Sequence, residues 1–508
     1  MSKLGIWTRL GGLGLALATT MLAACAGPKA GETAINASSG NTLRYGAVSA
    51  GGAPISDPHG KLFSEADWAR LTAIYDTLTV LGEDGKTAPK LATSWTANEN
   101  ATEWTFLLRD DAKFSDGSKV TAADALYSVG RLQEKASENG GRIGAVDMTQ
   151  SKAIDETTLL LVTPSPDADL PHALTLGSFV VKDGAADFGN PIGSGPFTLD
   201  QLDDQVAQLS ANSKWWGGRP GVEKLEIRGF TDPQAMAQAV TSGSVDMVSG
   251  VQPATAKASE SSDVLVSARP GAEAVPLLLR VDTDPFDDIR VRQAVKLALD
   301  RPALIEQVYL GYGTAGRDMI RLTDPEVPAE VPAVERNVER AKQLLSEAGH
   351  PDGFTITLHT TSAYPAMVPL ATAVQSQLAD VGITVDIKEH APDHYWTGVY
   401  GNEAFTVGYY GGSAAFGALV RATVLSSAAY SETGWRDAEF DAAYAKAMAT
   451  LEDSSRTEQL GALHKRMAAE GGWVVWGFGD RLTLHRSNVH GVATTGSIYD
   501  VSGITVGS

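Results

Sequence analysis

Apolar positions recur with period two in some stretches of this chain and with period 3.6 in others, and the changes of period lay out an order of elements. Residues 42–48 predict a strand. Over residues 65–81, Ala69, Ala73 and Thr77 fall at helical spacing beside Ile74 and Leu78, which predicts one helix. Residues 103–109 place Trp104, Phe106 and Leu108 on one face, the pattern of a half-buried strand. Thr121 and Asp124 have the spacing of a capping box and open a helix running through Leu132. A strand over 222–230, a helix over 232–242 stopped by Gly243, and a short strand over 245–248 follow.

The second half repeats this grammar. Asp287 or Asp288 caps a helix whose inner face carries Val291, Ala294, Val295 and Ala298. Asp300 caps the next, with Pro302 in its first turn. Asn337 caps a third, which stops at Gly349 with Pro351 beyond. Residues 354–360 predict a strand, 370–381 a helix and 383–388 a strand. Residues 321–334 hold Pro325, Pro328 and Pro332 and predict a loop. Such alternation predicts α/β layers with largely parallel sheets.

At 508 residues the chain is long enough for two to four domains. It has 41 basic and 61 acidic residues and a net charge of -20, which argues against a nucleic-acid partner, because phosphate contacts need clustered Lys and Arg. The first residues do not belong to a fold. Lys3 and Arg9 precede and open a short apolar run, residues 10–22, too short to span a bilayer comfortably, and this predicts a signal peptide over residues 1–25. Leu22-Ala23-Ala24-Cys25 resembles the bacterial lipobox, in which the Cys is diacylated and becomes the mature N-terminus. Cys25 is the single cysteine of the chain, and lipid attachment gives it a role. Two acyl chains are about the minimum for durable anchoring. Residues 26–41 are small and polar and predict a flexible tether.

Motifs for catalysis or metal binding are missing. The nine histidines are scattered, and Pro392 separates His390 from His394, so a shared helical face is not expected. There is no HExxH, CxxC, GxSxG or Walker A pattern. Gly311-Tyr312-Gly313-Thr314-Ala315-Gly316 matches GxGxxG literally, but it follows a helix where the dinucleotide motif must follow a strand, and it predicts a turn. The expectation is therefore no enzyme, no catalytic residue, no metal and no cofactor.

Several separated segments resemble the family 5 solute-binding proteins, the peptide- and nickel-binding receptors of ABC importers. Pro89-Lys90-Leu91-Ala92-Thr93-Ser94-Trp95 is followed by Trp104-Thr105-Phe106-Leu107-Leu108-Arg109, then by Lys113-Phe114-Ser115-Asp116-Gly117-Ser118 and Val120-Thr121-Ala122-Ala123-Asp124-Ala125. Pro191-Ile192-Gly193-Ser194-Gly195-Pro196-Phe197 resembles the family's central glycine-rich turn, and Trp215-Trp216-Gly217-Gly218-Arg219-Pro220 the segment after it. Asp284-Pro285-Phe286 through Ala294, and Ala341 through Gly349, are similar to its third region and its late helix. Most of these residues read as structural: Trp95, Trp104, Phe106 and Phe114 have core spacing, Asp116-Gly117 is a turn, and Gly193 and Gly195 relax the backbone.

The resemblance implies an α/β, two-lobed clamshell of the type II periplasmic-binding-protein kind in its three-region form. Domain I comprises 42–70, 190–283 and 480–508; domain II is an insertion over 71–189; domain III spans 284–479. The implied function is a lipid-anchored receptor on the outer face of the cytoplasmic membrane or in the periplasm. It captures peptides or similarly sized solutes between its lobes and hands them to ABC permease subunits, acting as a monomer. A solute sensor or envelope chaperone on the same fold is the alternative, and a peptide hydrolase a further one.

In dipeptide binders of the family, a late loop carries an aspartate for the peptide's α-amine. The matching residues here, 408–416, hold no acid, and no arginine for a peptide carboxylate stands near Ser362-Ala363-Tyr364. Both departures weaken a short-peptide reading. The expected ligand contacts are the aromatic Tyr409, Tyr410 and Phe416 with Gly411, followed by Trp396, Trp435 and Asp57; aromatic faces suit an apolar, cationic or sugar-like solute. Trp473 and Trp476 are expected in the core.

Overall fold

The computed structural model describes residues 41–508 except 52, 61–63, 135–142, 321–331, 412–415, 429–430, 498 and 508, with Phe416 and Ala418 described by backbone alone. The expected signal peptide, Cys25 and all of the tether but Asn41 lie outside these residues, as does most of the proline-rich loop.

Thr42–Val48 is buried through its middle and lies between two parallel neighbours, Lys224–Phe230 and Met247–Val251. Around it grows a nine-stranded sheet. On one side come the antiparallel strands Val206–Ala211 and Phe197–Leu202. On the other come Gly477–Arg486, Val264–Ala274 and Tyr410–Gly411, also antiparallel, with Gly313–Ala315 paired against Gly477–Arg486. A second sheet runs in the order Ile383–His390, Phe354–Thr361, Phe405–Val407, Leu277–Leu279, Trp473–Val474 and is parallel over its first three strands. A third, Ala92–Ala97, Glu103–Leu108, Thr158–Val162 and Lys152–Ala153, is wholly antiparallel. The expectation of largely parallel sheets is therefore corrected. Short hairpins can only join antiparallel strands, whereas each parallel pair needs a long crossover. Here Asp203 accepts from the N–H groups of Gln205 and Val206 and closes one such hairpin.

The helix expected over 65–81 is shorter. It spans Glu65–Ile74, opened by a Ser64–Asp67 capping box. Tyr75 is extended, Asp76 pairs with Lys90 at 3.1 Å, and Thr79–Leu81 is a strand against Thr87–Pro89. The buried ion pair pulls the chain out of helix before the apolar spacing ends. Elsewhere the caps hold: Asp232, Asp288, Asp300 and Asn337 each accept a backbone N–H at a helix start, and Thr121 pairs with Asp124. Trp104, Phe106, Phe114, Trp473 and Trp476 are buried.

Gly193 and Gly195 are needed for close approach rather than for freedom. A Cβ on Gly193 would stand 2.0 Å from the Ile74 carbonyl oxygen, and one on Gly195 2.7 Å from the Ile74 carbonyl carbon. The 311–316 segment is more than a turn: Leu310 and Gly311 are left-handed, and Gly313–Ala315 then joins the large sheet.

Separate apolar cores back the three sheets. One gathers Leu277, Leu279, Leu358, Leu370 and Phe405 behind the second sheet, and another gathers Leu43, Tyr45, Leu71, Leu225 and Ile227 behind the large one. A third gathers Trp104, Phe106, Phe114 and Leu159 behind the antiparallel sheet.

Candidate functional site

Aromatic rings converge where the second sheet meets the end of the large one. Tyr364 lies just beyond Phe354–Thr361, and Tyr409 just beyond Phe405–Val407. The two rings stack face to face, 3.5 Å between centroids and 5° from parallel. Trp396 stands edge-on to Tyr364 at 6.2 Å and to Tyr400 at 4.9 Å. It belongs to a π-helical turn, Tyr395–Val399, and a second such turn, Val420–Val424, follows the aromatic loop. Turns of this kind are rare and gather at functional positions.

Beneath the rings sits Glu432, 3% exposed. It accepts from the hydroxyls of Tyr400 and Tyr410 and from Trp473 Nε1 at 3.1 Å. Burial pushes its carboxyl above the usual range, and the three donors pull it back. The carboxylate thus fixes Tyr410, whose backbone pairs with Ala274 of the large sheet.

Across from the rings lies an ionic group. Arg481, on Gly477–Arg486, donates from both terminal nitrogens to Glu65, which opens the helix Glu65–Ile74 and also accepts from the Tyr499 hydroxyl at 3.3 Å. Arg481 reaches Ser249 Oγ at 3.4 Å, and Ser249 shares a 2.5 Å hydrogen bond with Tyr45. Burial works against the guanidinium charge, but Glu65 outweighs it and Arg481 is held protonated. The Tyr409 hydroxyl donates to Glu273 Oε2 at 3.4 Å, so Glu273 stands between the rings and the ionic group. The arrangement offers flat apolar faces beside fixed carboxylates, the surroundings that hold a small organic solute.

Of the expected contacts, Tyr409 and Trp396 are brought together through Tyr364, and Tyr410 joins them through Glu432. Gly411 is exposed and pairs with Glu273; a Cβ on it would meet the Tyr409 ring at 2.9 Å. Phe416 opens the short helix Phe416–Leu419, and its side chain lies outside the described residues. Trp435 packs on Trp473 at 5.6 Å, behind Glu432. Asp57 is elsewhere, ion-paired to Arg131 at 2.9 Å. Tyr400, Glu432, Glu273, Glu65 and Arg481 were not foreseen; each sits in a stretch with no motif, and only the fold makes them neighbours.

His390 ends the strand Ile383–His390 and His394 lies in the short helix Pro392–His394, so the two share no helical face. Their rings lie 5.6 Å apart, and His390 Nε2 is 3.0 Å from His359 Nδ1. Among the described residues no three His, Cys, Asp or Glu side chains stand ready to hold a metal, and no helix is long and apolar enough to cross a membrane. A cavity of about 280 Å³ lined by Ile55, Asp67, Arg70 and Leu202 shares no residue with the aromatic group.

Comparison with known proteins follows the same lines. The family model described as "Bacterial extracellular solute-binding proteins, family 5 Middle" matches residues 86–431, more than half of the chain. Heme-binding protein A of Haemophilus influenzae is 26% identical over 417 residues, 73% of this chain and 75% of that protein. The glutathione-binding protein GsiB of Escherichia coli is 26% identical over 325 residues, 62% of this chain and 63% of that protein. The crystal structure of the ABC transporter substrate-binding protein CtaP of Listeria monocytogenes superposes with a TM-score of 0.80 over 92% of this chain and 99% of that one; at 21% identity this likeness speaks for the two-lobed fold alone.

Proposed function

Because the chain belongs to the bacterial extracellular solute-binding proteins of family 5, we propose that it is the receptor of an ABC importer, closing on a peptide-sized solute and passing it to the permease without chemical change. The observation that carries this reading is the aromatic set Tyr364–Tyr409–Trp396, tied by Tyr409 to Glu273 on the strand that pairs with the one bearing Arg481 and its partner Glu65. A solute touching both sides stabilises the closed form by its differential affinity, and closure is what a permease can sense. Residues 42–70, 190–283 and 480–508 then act as one lobe with the 71–189 insertion, and 284–479 as the other. The lobes reach the membrane through acylated Cys25 and the 26–41 tether. The relatives named for heme and glutathione bracket the range of cargo, from a large flat ring system to a small charged peptide.

The test is a thermal-shift and native-mass screen of the mature protein against heme, glutathione, oligopeptides, opines and oligosaccharides. A true ligand at hundred- to thousand-fold excess should raise stability by about 3–4 kcal/mol and come off chemically intact. Turnover of a bound solute, or no response to any class, would overturn the proposal.

A further inference from the structure

The receptor reading above leaves open what its cargo must carry, and the backbone around Glu273 bears on that. Between Val264–Ala274 and Gly477–Arg486 the pairing slips: Arg269 faces Arg481, and the next pair is Glu273 with Gly479. Pro270, Gly271 and Ala272 therefore bulge opposite Asp480. A bulge bends the strand and re-aims the side chains beside it. Gly271 adopts φ +66° and its N–H donates to Asp480 Oδ1 at 3.3 Å. The side chain turned by this bulge is Glu273.

Gly479 makes room for what Glu273 meets. A Cβ there would lie 2.8 Å from Tyr309 Cζ and 3.0 Å from Glu273 Cγ, so ring and carboxylate converge over a bare backbone. Tyr309 is 2% exposed and stacks on Trp476 at 5.5 Å, yet its hydroxyl has no hydrogen-bond partner. An unpaired buried hydroxyl is costly, and native structures rarely leave one without a reason. The charge balance is also unfilled. Arg481 spends both terminal nitrogens on Glu65, and among the described residues no ion pair includes Glu273 or Asp480. Burial pushes both of those carboxyls above their usual range, and at Glu273 the Tyr409 hydroxyl and the charge of Arg481 pull only part of the way back.

We propose that Glu273 and the Tyr309 hydroxyl receive an N–H-bearing cation on the solute, a primary ammonium or a guanidinium, while the rest of the solute lies along the Tyr364–Tyr409 rings. The cation's N–H groups donate to the Glu273 carboxylate and to Tyr309 Oη. The Tyr409 hydroxyl, 3.4 Å from Glu273 Oε2, lies beside the same carboxylate. This strand-borne acid takes the place of the acid missing from residues 408–416.

The experiment is calorimetry on the mature protein with agmatine, 1,5-diaminopentane and trialanine, each beside its N-acetylated counterpart, and with choline, a cation lacking N–H. At least one free cation should bind, with its acetylated form and choline at least tenfold weaker. Glu273→Gln should lose at least tenfold and Tyr309→Phe a few-fold; Tyr309→Phe keeps the test alive should Glu273→Gln fold poorly. Equal binding of free and acetylated probes, or unchanged affinity in both variants, would overturn the inference. A neutral or anionic solute from the earlier screen that binds wild type and Glu273→Gln alike would sink it while leaving the receptor reading intact. Silence from every solute of any charge would sink both.

Discussion

Arg421→Met should open the protein without unfolding it. Arg421 lies in the π-helical turn after the aromatic loop, with Nη1 3.5 Å from Asp167 Oδ1 and 3.2 Å from the Tyr444 hydroxyl. Asp167 belongs to the 71–189 insertion, and its neighbour Ala168 donates its N–H to the Met448 carbonyl at 2.9 Å. This is a contact between the two proposed lobes, and both groups are hydrated once the lobes part. Removing one partner of a buried ion pair costs about 3–5 kcal/mol. The Arg421 side chain is 25% exposed, so solvent screening cuts this to about 2 kcal/mol. The loss falls on the closed form alone and shifts the closed-to-open ratio by about thirtyfold. Spin labels on Lys152→Cys and Lys388→Cys, in a Cys25→Ser background, report the separation by pulsed dipolar spectroscopy. Arg421→Met should lengthen the distances, and Arg421→Lys should lie between the variant and wild type. An unchanged distance distribution together with a melting temperature lowered by several degrees would refute the reasoning, because the pair would then only hold one segment in place.

Glu432→Gln tests the buried carboxylate beneath the rings. Its folded pKa is raised by burial, so its contribution is fully present below the unfolded value near pH 4.3 and is lost as pH rises through the folded value. Glu432→Gln should therefore gain stability relative to wild type from pH 4 to pH 8 in urea melts; a gap independent of pH would contradict this. Gly193→Ala forces a Cβ to within 2.0 Å of the Ile74 oxygen, which already accepts from Gly195 N–H at 2.8 Å. It should cost about 2–4 kcal/mol in urea midpoint analysis, and a loss under 1 kcal/mol would show that the crossover yields easily. Cys25→Ser should abolish the diacyl mass increment and release the protein from membranes; membrane retention without that mass would remove the anchor.

Capping chemistry was readable because it is local. Asp232, Asp300, Asn337 and Thr121–Asp124 act within three residues of themselves, and each stands where the pattern places it. The helix over 65–81 was misread because the force that ends it is not local: Asp76 turns to Lys90, fourteen positions on. Sheet direction failed for the same reason, since apolar runs look alike in parallel and antiparallel pairing. The candidate site lies further still from local rules. Its aromatic members could be named, because rings clustered in a late loop stand out in a sequence. Its carboxylates could not. Glu273 is an ordinary acid in an ordinary strand until a bulge turns it toward a glycine on a strand some two hundred residues away. Reading the loop 408–416 for an acid asks whether the charge has been lost; under the inference above a different strand supplies it. A pocket assembled from residues of several strands conserves its chemistry in space, so the absence of a charge from one segment says little until the neighbours of that segment are known.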